Sequence, residues 1–358
     1  MARKTGPSAE VDQAGRGRSR AAWTLILLAP LCAEATFSGI STPIIWLALP
    51  LLVPIYGAGV LLVRELTRRV GAGWFGLVVL GVAYEVAEDG IGLQALTSPH
   101  LYTASAWGPR VLGLNTTYWE GQIGYHVVFS VLIPITLTEL IFRRHAAAPW
   151  LGRKGLLGAM VTFAVGLALV RIAIAGTEDP GYRQGWPVEL GWCAVVIALG
   201  VVALVVVPRV GPVRVAPMAS PPHRSAAATV AAVATLVWLG LLWPLGHNAG
   251  HPAIGHGAWV VIPMAAALLL ATAVGWLVAR WCATPGFDDH HVIRLMGGAL
   301  VGHSLYAVAS GIAGGSTLLT VILGAVVLGA TVLLLGRLDG HVGRRPQAPL
   351  DSATRRSQ

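Results

Sequence analysis

The stretch AYEVAEDG sets Tyr84, Glu85, Glu88 and Asp89 inside an otherwise apolar run. Positions 85, 88 and 89 are i, i+3 and i+4, so on an α-helix the three carboxylates share one face. Gly81 and Gly92 extend that face and would let another backbone come close. A later apolar run holds His126 and Ser130 one turn apart in GYHVVFS, and an earlier one holds Glu34 in LCAEA. Clustered carboxylates with a histidine suit three chemistries. They can bind a divalent metal, with Glu85, Glu88 and His126 as candidate ligands. They can relay protons, or act as a general acid and base. A buried polar network that only fixes helix register is the structural alternative.

Hydropathy dictates the elements that carry these groups. The 358 residues are 55% hydrophobic and only 11% charged, with mean hydropathy +0.69. Soluble domains carry about 25% charge, so lipid must replace water over much of this surface. The expectation is an all-α, polytopic transmembrane helix bundle with about ten spans of roughly 20 residues each. They fall at 22–40, 44–63, 73–93, 121–142, 155–175, 188–207, 226–246, 258–279, 292–312 and 317–335. At about 1.5 Å per residue, Glu85 and Glu34 stand about 18 Å from the inner edge and Glu88 about 22 Å. His126, counted down from the outer end of the next span, reaches the level of Glu88 in a core about 30 Å thick. Glu34, Tyr84, Glu85, Glu88, Asp89, His126 and Ser130 are therefore expected to meet in the outer half of the bundle.

The basic residues test this map. With both termini in the cytoplasm, 22 of the 25 Lys and Arg residues fall inside, and only Arg110, Arg171 and Arg183 fall outside. The same clustering between apolar runs accounts for the net charge of +9 without nucleic acid as a partner. The expected partners are the bilayer and a small molecule or ion, and the expected location is a prokaryotic plasma membrane. Residues 1–20 and 337–358 read as disordered basic tails. Spans 1–4 occupy 21–154 and spans 5–6 occupy 155–207. A Pro-rich cytoplasmic linker, 208–225, leads to spans 7–10 in 226–336.

Outside the acidic stretch, Arg64, Glu65 and Glu139 read as an interfacial ion-pair set near the inner surface. His303 reads as a polar packing residue. His247, His251 and His256 lie close enough in one outer loop to suggest metal ligation. The segment 94–120, rich in Tyr and Trp, suits an interfacial or partly re-entrant lid.

The pieces YGAGVLLVREL, LGVAYEVAEDG, GLNTTYWEGQIGYHVVFSVLIPITLTEL and PWLG resemble a family of uncharacterised prokaryotic multi-pass membrane proteins, over about 25–152. The resemblance implies a membrane protein and no particular activity. A looser likeness is to CAAX-type intramembrane metalloproteases, which would give Glu85, Glu88 and His126 metal-site roles. This chain reads EVAED where that family has adjacent glutamates. Three functions compete: small-solute or ion transport through the polar cluster, an intramembrane hydrolase, or a membrane scaffold. The topology has a direct check: reporter fusions at Ser220 and Gly250 should signal cytoplasm and exterior respectively, and a reversed pair would refute the map.

Overall fold

The computed structural model describes residues 7–211, 214–246 and 250–344. Helix accounts for 78% of the described residues. Among them, eight helices are long and apolar enough to cross a membrane. They are Ile45–Val70 (α2), Thr116–Ile141 (α4), Arg153–Glu178 (α5), Trp186–Val210 (α6), Arg224–Leu242 (α7), Val261–Ala283 (α8), Asp289–Ala313 (α9) and Thr317–Gly343 (α10). Two further helices complete the bundle: Pro7–Pro30 (α1) and Gly73–Glu85 (α3). Both, with the segments that prolong them, hold several charged residues, Arg16, Arg18, Arg20 and Glu34 in one and Glu85, Glu88 and Asp89 in the other, which dilute their hydropathy. A hairpin of Arg110–Val111 (β1) and Leu114–Asn115 (β2) sits in the connection before α4.

The helices form a centre and a shell. Only 11–17% of the span residues are buried in α5, α6, α8 and α10, against 67% in α4 and 56% in α9. The poorly buried helices present Leu, Val and Ile outward, so lipid is their solvent. The central helices meet through small residues. On α9, a Cβ at Gly298 would come within 2.0 Å of the Ala228 carbonyl of α7, and one at Gly302 within 2.5 Å of the Ala232 carbonyl. This G-x-x-x-G spacing lets two backbones touch where lipid gives no hydrophobic drive for association.

Both expected tails are partly helical. α1 begins at Pro7, so 7–20 is helix and not a disordered arm. Its start rests on the turn after α4: Gly17 lies against His145, and Ala21 and Ala22 are buried. Local composition could not reveal that tertiary support. At the other end 337–343 remains in α10, where Asp339 pairs with His290 at 2.6 Å and with Arg294 at 2.9 Å. The rest of both tails lies outside the described residues.

One end of the bundle is closed by Arg64, whose side chain is fully buried. Its guanidinium donates to Glu65 at 2.8 Å, to Glu139 at 3.2 Å and to the carbonyls of Ala148, Ala146 and His145 at 2.9, 2.7 and 3.3 Å. Its charge lies 3.5 Å from the centre of the Trp150 ring. Glu65 in turn accepts from the backbone N–H groups of Trp150 and Leu151. The expected interfacial ion pair is thus a buried clamp that fastens the α4–α5 turn to α2.

Two stability predictions follow from these charges. Arg64→Ala leaves Glu65 and three carbonyls without their donor and should cost about 3–5 kcal/mol, read as a lowered unfolding temperature in detergent. Arg64→Lys, which cannot reach the same five acceptors, should recover only part of the loss. At the start of α9, Asp288 and His291 form a capping box, and Arg224 donates to Asp288 at 2.7 Å. Burial alone would raise the Asp288 carboxyl, but the hydrogen bonds from His291 and the charge of Arg224 hold it down to about 2. Its unfolded value is about 3.9, so the stabilisation is complete above about pH 4 and fades as pH falls toward 2. Asp288→Ala should therefore cost about 1 kcal/mol at pH 7, with the difference from wild type shrinking across that acid window.

Candidate functional site

Six helices leave regular α geometry; α5 does so at Arg171–Ala175 and α6 at Val202–Val206, and the other four where they carry the residues of the acidic cluster. α1 continues as π-helix through Leu31–Ala35, which holds Glu34. α2 is π over Val53–Ala58, which holds Tyr56. α3 runs on as π through Val86–Gly92, which holds Glu88 and Asp89. α4 is π over His126–Leu132, which holds His126 and Ser130. Proline explains one of these turns. Pro134 lacks an N–H and crowds the carbonyl of Ser130, which lies in the widened turn of α4. Pro30 and Pro54 stand at the start of the widened segments of α1 and α2. In α3 the widened turn holds Gly90 and Gly92 instead.

The four segments bring their side chains together, all buried. Tyr56 donates to Glu34 at 2.6 Å, and the Tyr125 hydroxyl lies 2.7 Å from the Ala33 carbonyl and 3.5 Å from Glu34. His126 takes the middle. Its Nδ1 is 3.0 Å from Ser130 Oγ and 3.6 Å from Glu88 Oε2, and its Nε2 is 3.7 Å from Asp89 Oδ2. The rings of Tyr125, Tyr84 and Tyr56 surround it at 5.2, 5.7 and 6.0 Å. Tyr118 donates to the other oxygen of Asp89 at 3.3 Å.

Glu85 departs from the expected grouping. It accepts from Trp119 Nε1 at 3.1 Å, and among the described residues it makes no ion pair with His126. The π turn begins at Val86, directly after Glu85, so the one-face geometry of an unbroken α-helix does not carry through to 88 and 89. Glu85, Glu88 and His126 are therefore not a three-ligand set, and among the described residues no three of His, Cys, Asp and Glu are grouped to hold a metal ion. In the outer loop, the His251 and His256 rings lie 4.1 Å apart, while His247 falls outside the described residues.

Several acceptors in the cluster have no hydrogen-bond partner among the described residues: Glu85 Oε1, Glu88 Oε2 and Asp89 Oδ2, together with the Tyr84 hydroxyl. Ionised carboxylates in such a place are costly unless a proton or a cation neutralises them. The three free oxygens belong to adjacent turns of one helix.

Residues 24–337 match an uncharacterized membrane protein family. The chain belongs to that family. No curated protein and no solved structure matches it. The family match reaches from α1 into α10, so the second half, which shows no resemblance when read alone, belongs to the same unit as the acidic cluster.

In this family member the cluster includes residues that spacing alone did not single out: Tyr56, Tyr118, Trp119 and Tyr125. Tyr118 and Trp119 open α4 in TTYWEG, and Tyr125 directly precedes His126, so counting depth for hydroxyls and indole N–H groups as well as for charges would have found them. From α9, His303 stacks on Phe129 at 3.8 Å and on Phe37 at 4.5 Å, with Nδ1 3.0 Å from Thr36 Oγ1. Its Nε2 has no partner among the described residues, so it is not a fully satisfied packing residue. Tyr56→Phe should remove the 2.6 Å hydrogen bond to Glu34 and cost about 1–3 kcal/mol, measured against wild type by thermal unfolding in detergent.

Proposed function

We propose that this protein is a membrane carrier whose buried carboxylate–tyrosine–histidine cluster binds a small ion in exchange for protons. The observation that carries the reading is the set of free oxygens on Glu85, Glu88 and Asp89, buried beside His126. A purely structural network would be expected to satisfy each of these acceptors, as the Arg64 clamp does. Carboxylates that can hold either a proton or a cation are the usual means of coupling one to the other inside a bilayer. Widened helical turns with freed backbone carbonyls also favour ion sites. In this reading α1 and α3 join the eight apolar helices as ten crossings, and the distribution of Arg and Lys favours both termini on the cytoplasmic side of a prokaryotic plasma membrane, with 208–225 as the linker between two halves.

A second reading draws on one contact. Ser130 Oγ, His126 and Asp89 stand in the order of a nucleophile, a base and an orienting acid, which would suit an intramembrane acyl-transfer enzyme. A serine-directed fluorophosphonate that adds covalently to wild type but not to Ser130→Ala would favour it.

The carrier reading is tested in vesicles that hold the purified protein and an internal pH dye. Gradients of Na⁺, K⁺ or Mg²⁺ are imposed one at a time. Wild type should move protons against at least one cation. Glu88→Gln, which keeps the shape but loses the charge, should slow this at least tenfold, equivalent to about 1.4 kcal/mol. Folded wild type that moves no protons with any of the cations would refute the proposal.

A further inference from the structure

A groove of about 580 Å³ lies between α1, α2 and α5, and none of the cluster's acids or His126 lines it. Its volume is in the roughly 300–1,000 Å³ range of small-molecule sites. The walls are mostly apolar: Trp23 and Ile26 of α1, Val53, Pro54 and Leu61 of α2, and Ala159 of α5. From Gly15 to Ile26 it follows eleven residues of helix, about 16 Å. Glycine keeps it open, since a Cβ at Gly15, Gly152 or Gly158 would meet nothing within 4 Å. Its rim faces the apolar exterior, where Trp23 and Leu157 are each 62% exposed.

The end of the groove at Gly15, Ser19, Gly152 and Gly155 is electropositive. Arg18, Arg20, Arg153 and Lys154 are exposed there, and among the described residues none of them has an ion-pair partner. α5 starts at this point with no side-chain cap, and its first turn is basic. Helix starts ordinarily favour acids, so the positive helix end and two cations add together instead of cancelling. A long apolar slot open to lipid, ending in a concentrated positive charge, matches one class of molecule in both of its parts.

We propose that this groove binds an anionic phospholipid of the adjoining leaflet, one acyl chain lying along α1 and the phosphate resting on Arg153, Lys154 and the start of α5. The proposal is independent of the carboxylate cluster. Basic residues near a membrane surface attract anionic headgroups, and the slot adds selection for a chain. Native mass spectrometry of the full-length protein in neutral detergent should show phosphatidylglycerol binding about tenfold more tightly than phosphatidylcholine. The double variant Arg153→Gln, Lys154→Gln should lose that preference. Gly158→Trp, placed where a side chain meets open space, should weaken both lipids by filling the slot. Glycerol phosphate alone should compete poorly. Equal binding of the two lipids, an unchanged preference in the double variant, or full competition by glycerol phosphate would overturn the proposal. The double variant changes only exposed side chains, so the test stands even if Gly158→Trp fails to fold.

Discussion

The structure depends on one electrostatic constraint: an ionised group inside an apolar helix bundle must be neutralised by something within reach. An unpaired charge transferred to hydrocarbon costs far more than any single packing contact returns. The chain meets this constraint in two ways. At Arg64, every direction is occupied: two carboxylates, three carbonyls and an aromatic face surround one guanidinium. The result is rigid and locally neutral. At Glu85, Glu88 and Asp89, each carboxylate has an oxygen without a hydrogen-bond partner among the described residues, although His126 stands 3.6 and 3.7 Å from two of them. Both sites lie in the same bundle, so the difference is not a general looseness of packing. One set of charges is spent on holding helices together, and the other retains capacity for a proton or an ion.

Backbone geometry follows the same division. The segment from Gly59 to Val70, which carries the Arg64 clamp, is regular α-helix, whereas Glu34, Tyr56, Glu88, Asp89, His126 and Ser130 all sit in π turns. A π turn forfeits good helical hydrogen bonding and is uncommon. Pro134 contributes to it in α4, and proline is itself expensive in a span unless neighbours repair the backbone. Widened turns at one level in four helices move side chains off the regular helical stripe and toward a common centre.

The sequence made much of this legible, and its failures have physical causes. Residue depth, counted from span ends, placed Glu88 beside His126, and the side chains stand 3.6 Å apart. That count works because most of the path from each span end to these residues is regular α-helix, with the π turns only near its end. Azimuth is less robust. The i, i+3, i+4 rule grouped Glu85 with Glu88 and Asp89, and a π turn starting one residue after Glu85 ends the α-helical register on which that rule rests. Tyr56, Tyr118 and Tyr125 escaped notice because hydroxyls carry no insertion penalty comparable to a charge, so hydropathy does not flag them. Helix in 7–20 was hidden for another reason: its support comes from the turn after α4, more than a hundred residues away.

The second half of the chain looks chemically sparse, yet it is mechanically joined to the cluster. Phe129, on the same π turn as His126 and Ser130, stacks face to face on His303 of α9. Thr36, one residue beyond the turn that holds Glu34, contacts His303, and its carbonyl accepts from Ser304. Tyr306 continues the contact, donating to the Trp243 carbonyl past the end of α7, and the Trp243 ring stacks on Tyr125. α9 therefore touches α1 and α4 at the turns that hold Glu34 and His126, while its glycines press it against α7. A shift of the α7–α9 pair relative to the first helices would have to slide His303 between Phe37 and Phe129. Stacked rings packed this closely favour discrete arrangements over gradual ones. The histidine of the second half is thus packed directly against the turns that hold Glu34 and His126.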